Sequence, residues 1–407
     1  MVNARRQSAA FLLTAAIAAL SPGNAHGMEF DGYVRSGFGG SSGGDSQACF
    51  QLPGAETKFR LGNECEQYAE LGLRQDIATL ADDSRFGFYG MVSLYNDYDQ
   101  SLTFDDGNGR TRLPQAYAYW RGAKALNGGT AWIGRRYYKR RHVEITDFFY
   151  WNQSATGFGF DGVKIGALEY SYVFSRRDNV EQSHAVTRHD FNVGGIAVNP
   201  GGELELGVSY IDEPSRPGAH SGWYFGAQHV QSFTPDTKNT FALQYGAGPG
   251  TGLGYTGDVT LGGDDRSWRI LDYFDWQVTP RFGGELQVVY QEDFRDQGRD
   301  QDWLSIGARP VYAITRHFKL AVELGHDRVR TGGDTRHLDK LTIAPAWSPM
   351  GPRFTTRPEL RFFVTYAQWN AAAQSAAAPG TAISPSGSSG FDLHGLTFGV
   401  QFEYSWK

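Results

Sequence analysis

The chain has 407 residues, with 38 basic and 44 acidic side chains and a formal net charge of −6. Nucleic-acid binding requires a basic face, so this acidic balance excludes nucleic acid as the expected partner. The mean hydropathy of −0.44 does not exclude a membrane protein. Lipid-facing and water-facing residues alternate along a transmembrane β-strand and cancel in such an average.

The N-terminus has the pattern of a secretory signal. Two arginines precede an apolar run of small and aliphatic residues from Ala9 to Leu20. This run is shorter than the roughly 20 apolar residues that a membrane-spanning helix needs, which favours a removable signal over an anchor. We predict a signal over residues 1–27, cleaved after Ala25 or Gly27. A single domain over residues 28–407 then forms the mature protein.

Apolar and polar residues alternate with a period of two along the mature chain. The segments that show this alternation are Phe30–Phe38, Tyr68–Arg74, Glu203–Tyr210, Glu285–Gln291, Leu360–Tyr366 and Leu396–Trp406. Charged residues at mid-strand on one face of so many strands would destabilise a sealed core. They are compatible with a water-filled lumen, with the apolar face turned to lipid. The pattern therefore favours a transmembrane barrel over a soluble β-sandwich or lectin.

The two cysteines, Cys49 and Cys65, flank a polar stretch with Gly and Pro early in the mature chain. A chain with a secretory signal reaches an oxidising compartment, where a disulfide is the expected state. Two free thiols remain the alternative. We predict a Cys49–Cys65 disulfide that constrains this stretch.

Two kinds of connection are predicted between the strands. Short turns are expected at residues 127–129, 199–202 and 279–281, and long polar loops at 39–64, 96–113, 211–221, 292–302, 325–338 and 370–392. Short turns at one rim and long loops at the other are typical of transmembrane barrels, and the chain length suggests about 14 to 20 strands. No helix is predicted, and residues 371–390, rich in Ala, Ser, Gly and Pro, are expected to form a flexible surface loop.

The segment Trp132–Trp151 has the sequence WIGRRYYKRRHVEITDFFYW, in which charged and aromatic residues are unusually dense. Such a segment is costly to bury and prone to association when exposed. One interpretation is an ordinary surface loop with a girdle of aromatic residues. The other is a loop folded into the lumen, where its charged groups would hydrogen-bond sugar hydroxyls and its rings would pack on sugar faces.

Catalytic and metal sites are not predicted. His142, Glu144 and Asp147 lie close together in sequence, but the neighbouring arginines would repel a metal cation. Nothing supports a Ser-His-acid hydrolase such as an outer-membrane lipase. We therefore expect no enzyme activity, no cofactor and no bound metal.

Several segments together resemble the maltoporin family of trimeric outer-membrane carbohydrate porins. They are FDGYVRSGFG, ACFQLPGAETKFRLGNECEQYAEL, DFFYW, NPGGELELGVSY, WRILDYFDW, TRPELRFFVTYAQW and LTFGVQFEYSW, and they cover essentially the whole mature chain. The resemblance implies an all-β fold, an antiparallel transmembrane barrel of about 18 strands with a loop folded into the lumen. It also implies a homotrimer in contact with the lipid of a Gram-negative outer membrane. Its substrates would be maltose, maltodextrins or related oligosaccharides.

In that family an aromatic strip runs down the lumen beside a track of charged residues. The residues that match the aromatic strip are Tyr33, Tyr68 and Phe149. The residues that match the ionic track are Arg35, Arg60, Glu70, Arg112, Arg140 and Asp147. The resemblance implies that both sets contact the sugar. The period-two pattern independently places Tyr33 and Tyr68 in the lumen.

The chain also departs from the family pattern. Phe149 stands where the family has a tyrosine, and His142, Glu144 and Asn152 replace other track residues. Thr355 and Ser405 align with tryptophans of the late strip. These differences leave open a general diffusion porin for small hydrophilic solutes and ions, with little sugar specificity.

Overall fold

The computed structural model describes residues 27–44, 46–98, 100, 109–177, 186–296, 298 and 300–407. The signal predicted over residues 1–27 falls, except for Gly27, outside the described residues and stays a prediction. No helix in the described part of the chain is long and apolar enough to cross a membrane.

The described residues form a succession of β-strands with one short α-helix. The strands are β1 (Glu29–Ser41), β2 (Glu66–Thr79), β3 (Arg85–Asp97), β4 (Arg110–Ala123), β5 (Gly129–Arg136), β6 (Arg141–Val143), β7 (Phe148–Trp151), β8 (Ala155–Ile165), β9 (Leu168–Arg177), β10 (Arg188–Asn199), β11 (Gly202–Ile211), β12 (Gly222–Thr234), β13 (Thr237–Ala247), β14 (Arg266–Thr279), β15 (Phe282–Phe294), β16 (Gln301–Ala313), β17 (Phe318–Thr331), β18 (Asp334–Trp347), β19 (Glu359–Trp369) and β20 (His394–Trp406), and the helix is α1 (Ala371–Ala376).

Eighteen of these strands form one closed antiparallel sheet. Each pairs with its neighbours along the chain, and β1 closes the barrel by pairing with β20 from Gly32 opposite Trp406 to Ser41 opposite Thr397. The remaining two strands, β6 and β7, form a small hairpin of their own, and β5 pairs directly with β8. The predicted barrel of about 18 strands is confirmed. Among the described strands, closure leaves no edge strand with an unpaired side, which is the condition for a sheet in lipid.

Side chains on the two faces of the wall have opposite environments. On β19, Phe362 and Val364 are 57% and 49% exposed on the outside, whereas Arg361 and Thr365 on the inside are 2% and 0% exposed. The apolar residues therefore face the lipid, and the polar residues face a lumen that is itself filled with protein. In a soluble β-sandwich the arrangement is reversed, with the apolar face buried in the core and the polar face in water.

The connections between successive strands lie at two opposite rims of the barrel. The short turns predicted near residues 128, 200 and 280 join β4 to β5, β10 to β11 and β14 to β15, all at the same rim. The prediction of a long loop at residues 325–338 is wrong, because β17 and β18 extend through it and only residues 332–333 connect them. A β-ladder is held by backbone hydrogen bonds, so charged side chains do not prevent it. Here Arg328 and Arg330 pair with Asp302 on β16.

The expectation that the chain has no helix is wrong for three short segments of the described chain, since Lys124–Leu126 and Gly248–Gly252 form short 3-10 helices and a third segment is α-helical. Residues 371–376 form the short helix α1 inside the connection between β19 and β20. Asn370 caps it, since its side-chain oxygen accepts a hydrogen bond from the Ala373 N–H at 3.0 Å. Asparagine is among the preferred N-cap residues, so the start of this helix has a local cause.

The first loop (residues 46–65) enters the barrel, although the sequence placed it at the rim. Its Phe59 is 1% exposed. A Cβ atom at Gly307 or Gly325 would lie 2.0 or 2.1 Å from the Phe59 ring, so these glycines make the space for it. The Thr57 hydroxyl lies 2.9 Å from an Asp327 oxygen, and the Leu61 N–H donates to Glu323 at 3.0 Å. The first loop is therefore fixed to β16 and β17 from within.

A second segment, the constriction loop (residues 137–154), also folds into the lumen and carries the β6–β7 hairpin. Val143 and Ile145 are fully buried. The Ile145 N–H donates to Glu285 on β15 at 2.9 Å, and the Arg60 N–H donates to the Ile145 carbonyl at 2.9 Å. The two loops thus support each other, and the predicted inward-folded loop is confirmed.

Cys49 and Cys65 form the predicted disulfide within the first loop. Cross-linking positions 16 residues apart removes loop entropy from the unfolded chain, worth about 3 kcal/mol in the chain-entropy model. We expect the Cys49→Ser, Cys65→Ser double variant to unfold at a lower urea concentration in detergent. Adding a reducing agent should shift the parent protein in the same way and leave the double variant unchanged. Equal unfolding midpoints for parent and variant would contradict this prediction.

Candidate functional site

The two inward loops leave a cavity of about 540 Å³ against the wall formed by β1, β2 and β20. We call it the constriction cavity. It brings together eight of the nine residues expected to contact sugar, namely Tyr33, Arg35, Arg60, Tyr68, Glu70, Arg140, Asp147 and Phe149. The ninth, Arg112, lies in an adjoining cavity of about 810 Å³, the outer vestibule. Tyr68, Tyr95 and Arg140 line both cavities, so the two cavities adjoin there.

Two tyrosine rings mark one side of the constriction cavity. Tyr33 on β1 and Tyr68 on β2 have ring centroids 6.1 Å apart. The strand register places Arg35 directly opposite Tyr68, and its guanidinium carbon lies 6.0 and 5.7 Å from the two ring centroids. The adjacent strands β1 and β2 thus place two tyrosine rings and one guanidinium group close together on the lumen wall.

Arg140 projects from the constriction loop and is held by aromatic rings. Its guanidinium carbon lies 4.2 Å from the Tyr137 ring centroid and 3.9 Å from that of Phe149. Among the described residues, no carboxylate lies within 4 Å of its guanidinium nitrogens. Its position is instead supported through Tyr137, whose hydroxyl donates to Glu70 at 3.1 Å. Glu70 also accepts a hydrogen bond from the Tyr68 hydroxyl at 2.6 Å.

Arg35 and Arg60 have a different environment, because both are engaged with protein carboxylates. Arg35 lies 2.7 Å from Glu64 and is also paired with Glu66. Arg60 lies 3.0 Å from Glu64 and 3.2 Å from Glu403. Each arginine is only 5–6% exposed. Both arginines therefore stabilise the wall of the cavity through these ion pairs, in addition to lining the cavity.

These arginines belong to a larger ion-pair network that the sequence did not reveal. Arg357 bridges Glu144 at 3.2 Å and Glu403 at 3.0 Å, and Arg361 bridges Glu403 at 2.8 Å. The network joins the first loop, the constriction loop, the 348–358 connection and the last two strands. The alternation along β19 and β20 had predicted that Arg361 and Glu403 face the lumen, but it could not show their partners.

Two acids of the constriction loop differ in their electrostatic surroundings. Burial alone would raise the pKa of Glu144, but Arg60, the hydrogen bond with His142 and Arg357 outweigh it and lower that pKa to about 2. Burial raises the pKa of Asp147, and the attraction of Arg60 only partly opposes this. Glu144 therefore stays charged at neutral pH and keeps the network balanced.

The two positions at which the family resemblance leads us to expect tryptophans both face the pore. Thr355 and Ser405 line the constriction cavity beside Tyr33 and Arg357. Neither has a ring that could pack on a sugar. No group of three or more His, Cys, Asp or Glu side chains in the described ranges is arranged to hold a metal ion.

A family model described as LamB porin matches residues 28–406. Among solved structures, the chain is similar to OpdK of Pseudomonas aeruginosa with vanillate, with a TM-score of 0.56 and 11% identity over 94% of this chain and 100% of that chain. It is also similar to OccK2 (OpdF) of the same organism in complex with glucuronate, with a TM-score of 0.54 and 10% identity over 93% and 97% of the two chains. At such identities the likeness concerns the fold alone.

Proposed function

The chain belongs to the LamB porin family and is a channel of the Gram-negative outer membrane, and we propose that this channel passes carbohydrates by facilitated diffusion. The substrates would be maltose, maltodextrins or related oligosaccharides. The observation that carries the proposal is the constriction cavity, where the tyrosine pair, Phe149 and Arg140 meet beside Glu70 and Asp147. Rings suit the apolar faces of a sugar, and charged groups suit its hydroxyls.

The proposed roles divide between these groups. Tyr33, Tyr68 and Phe149 would pack against sugar rings, while Arg140 and Asp147 would exchange hydrogen bonds with hydroxyls. Arg112 would meet the sugar earlier, in the outer vestibule. Most hydrogen-bonding groups of Arg35 and Arg60 already have protein partners. These two arginines would therefore act on the sugar partly indirectly, by holding the cavity wall in place.

A general diffusion porin remains the second candidate. It is favoured by the ion pairs that occupy Arg35 and Arg60 and by the absence of a ring at Thr355 and Ser405. Such a pore would conduct ions without being blocked by sugar. A current-block screen with a panel of sugars in planar bilayers separates the two candidates.

Arg140→Ala is expected to enlarge the single-channel conductance and weaken sugar block by about tenfold or more. The change removes a bulky group that lines both cavities, and hydrogen bonds to charged groups are worth about 1.5–3 kcal/mol. Lys139→Ala is the matched control, because Lys139 pairs with Glu205 and lines neither cavity. Conductance and block that match the parent protein would place Arg140 outside the sugar path.

We also propose that three barrels assemble, as the family resemblance implies. Native detergent-solubilised protein is expected to have three times the protomer mass by light scattering corrected for detergent. Heating in denaturing detergent should convert it to the protomer mass. A protomer mass without heating would contradict the trimer and leave the channel proposal intact.

A further inference from the structure

Among the described residues that line the constriction cavity, His142 is the only histidine. Its side chain is 42% exposed, so the imidazole is in contact with the water of the pore. Histidine is the side chain that ordinarily gains or loses its charge between pH 5 and 8. The cavity wall therefore holds a group whose charge can change where ions and solutes pass.

Two contacts orient the His142 ring. It packs against the Phe149 ring, with the two centroids 5.3 Å apart, and its Nε2 lies 3.4 Å from an oxygen of Glu144. Although burial would raise the pKa of Glu144, its arginine partners hold that pKa at about 2. Glu144 is therefore charged and can only accept a hydrogen bond. It follows that Nε2 carries a hydrogen in both charge states, and that the proton that charges His142 binds at Nδ1.

The charged groups that share the cavity with His142 come from several parts of the chain. They are Arg140, Glu144 and Asp147 of its own loop, Arg60 of the first loop, Arg357 of the 348–358 connection, Glu403 of β20, and Arg35, Glu66 and Glu70 of β1 and β2. Arginines do not lose their proton in this pH range. Burial raises the pKa of Asp147, so Asp147 is the group that an experiment has to separate from His142.

The carboxylate beside His142 already has cationic partners on its other oxygen. Arg60 lies 3.4 Å and Arg357 lies 3.2 Å from that oxygen of Glu144. A proton on His142 therefore adds a third cation to a carboxylate that two arginines already compensate, and its field extends into the water of the pore. The change on protonation is one unit of positive charge, whatever the total charge of the pore.

We propose that His142 is a specificity-determining residue that makes the ion selectivity of the channel depend on pH. When the ring gains its proton, the constriction attracts anions and repels cations more strongly than it does with a neutral ring. Lowering the pH from 8 to 5 thus raises the permeability of Cl⁻ relative to that of K⁺. This inference concerns ions, so it goes beyond the proposed sugar transport and does not depend on it.

The test measures the reversal potential of the channel in a planar bilayer under a KCl gradient, at pH 8 and at pH 5. A unit charge about 6 Å from a passing ion changes the energy of that ion by roughly RT even in water, and in opposite directions for K⁺ and Cl⁻. With screening at about 0.1 M salt, the permeability of Cl⁻ relative to K⁺ should rise by about threefold between pH 8 and pH 5.

Two variants of His142 locate the effect. His142→Gln should remove most of the change in selectivity between pH 8 and pH 5. His142→Lys carries a fixed positive charge, so it should show at pH 8 the selectivity that the parent protein reaches only at pH 5. The two variants report on the same charge independently, so either one alone decides the inference.

His220→Gln is the matched control, because His220 is exposed on the β11–β12 connection and outside the lining of the constriction cavity. It should respond to pH as the parent protein does. A parent channel whose selectivity is the same at both pH values overturns the inference. A change that persists in His142→Gln also overturns it, and would assign the effect to Asp147 or to another carboxyl group.

Discussion

Glu403→Gln is expected to destabilise the folded barrel by about 3–5 kcal/mol, the usual cost of removing one partner from a buried ion pair. Glu403 is 2% exposed. Arg60, Arg357 and Arg361 all lie within 3.2 Å of its oxygens, and the Tyr33 hydroxyl donates to it at 2.9 Å. Glutamine keeps the shape of the side chain but leaves three buried guanidinium groups without this charge.

The loss should also be visible in the channel. Because Arg60 belongs to the first loop, weakening its attachment should increase current noise from loop movement. Urea unfolding in detergent measures the stability change, and bilayer recordings measure the noise. Glu169→Gln is the matched control, since Glu169 is exposed on β9 near the short-turn rim. If both variants unfold at the same urea concentration as the parent protein, the network contributes no net stability.

The second large effect concerns the exit half of the pore. The unmodified protein is expected to bind sugars weakly and to gain little affinity as a maltodextrin lengthens from two to seven units. A short sugar would already contact Tyr33, Tyr68 and Phe149, whereas Thr355 and Ser405 offer no ring to further units. An aromatic contact is worth on the order of 1 kcal/mol beyond area burial.

Thr355→Trp combined with Ser405→Trp should therefore restore length dependence. Two added contacts correspond to a gain of roughly 10- to 30-fold for the heptasaccharide, because 1.4 kcal/mol is a factor of ten. Noise analysis of current block across the series from disaccharide to heptasaccharide measures the gain. The control replaces both residues with leucine, which fills similar space without an aromatic ring. A steep increase of affinity with length in the unmodified protein would show that other residues complete the strip.

Local patterns in the sequence were sufficient to predict the barrel wall and the side of it that each strand residue faces. Side chains on a β-strand point alternately to opposite faces, so a period of two identifies lipid and lumen positions without knowledge of the neighbours. The density of charge and rings from Lys139 to Trp151 also singled out the constriction loop, although this composition left a surface loop as the alternative and the family resemblance favoured the inward position. The disulfide followed from two cysteines and the expected compartment.

Only the tertiary structure decided how the lumen is filled. The position of Phe59 depends on glycines at 307 and 325, and alternation cannot show which residue of a distant loop occupies that space. The extension of β17 and β18 to residues 332–333 depends on backbone pairing rather than on polarity. Residues 325–338 therefore resembled a loop while forming strands.

The ion-pair network was likewise invisible in the sequence. Arg60 and Glu403 are 343 residues apart along the chain and meet because the first loop folds into the lumen against β20, which β1 holds in one register. A shift of that register by one residue would turn Glu403 to the lipid. Residue types and strand faces are local properties that the sequence determines by itself. Which buried charge neutralises which other charge depends on barrel closure, and that same closure sets the balance of charge that a solute meets in the pore.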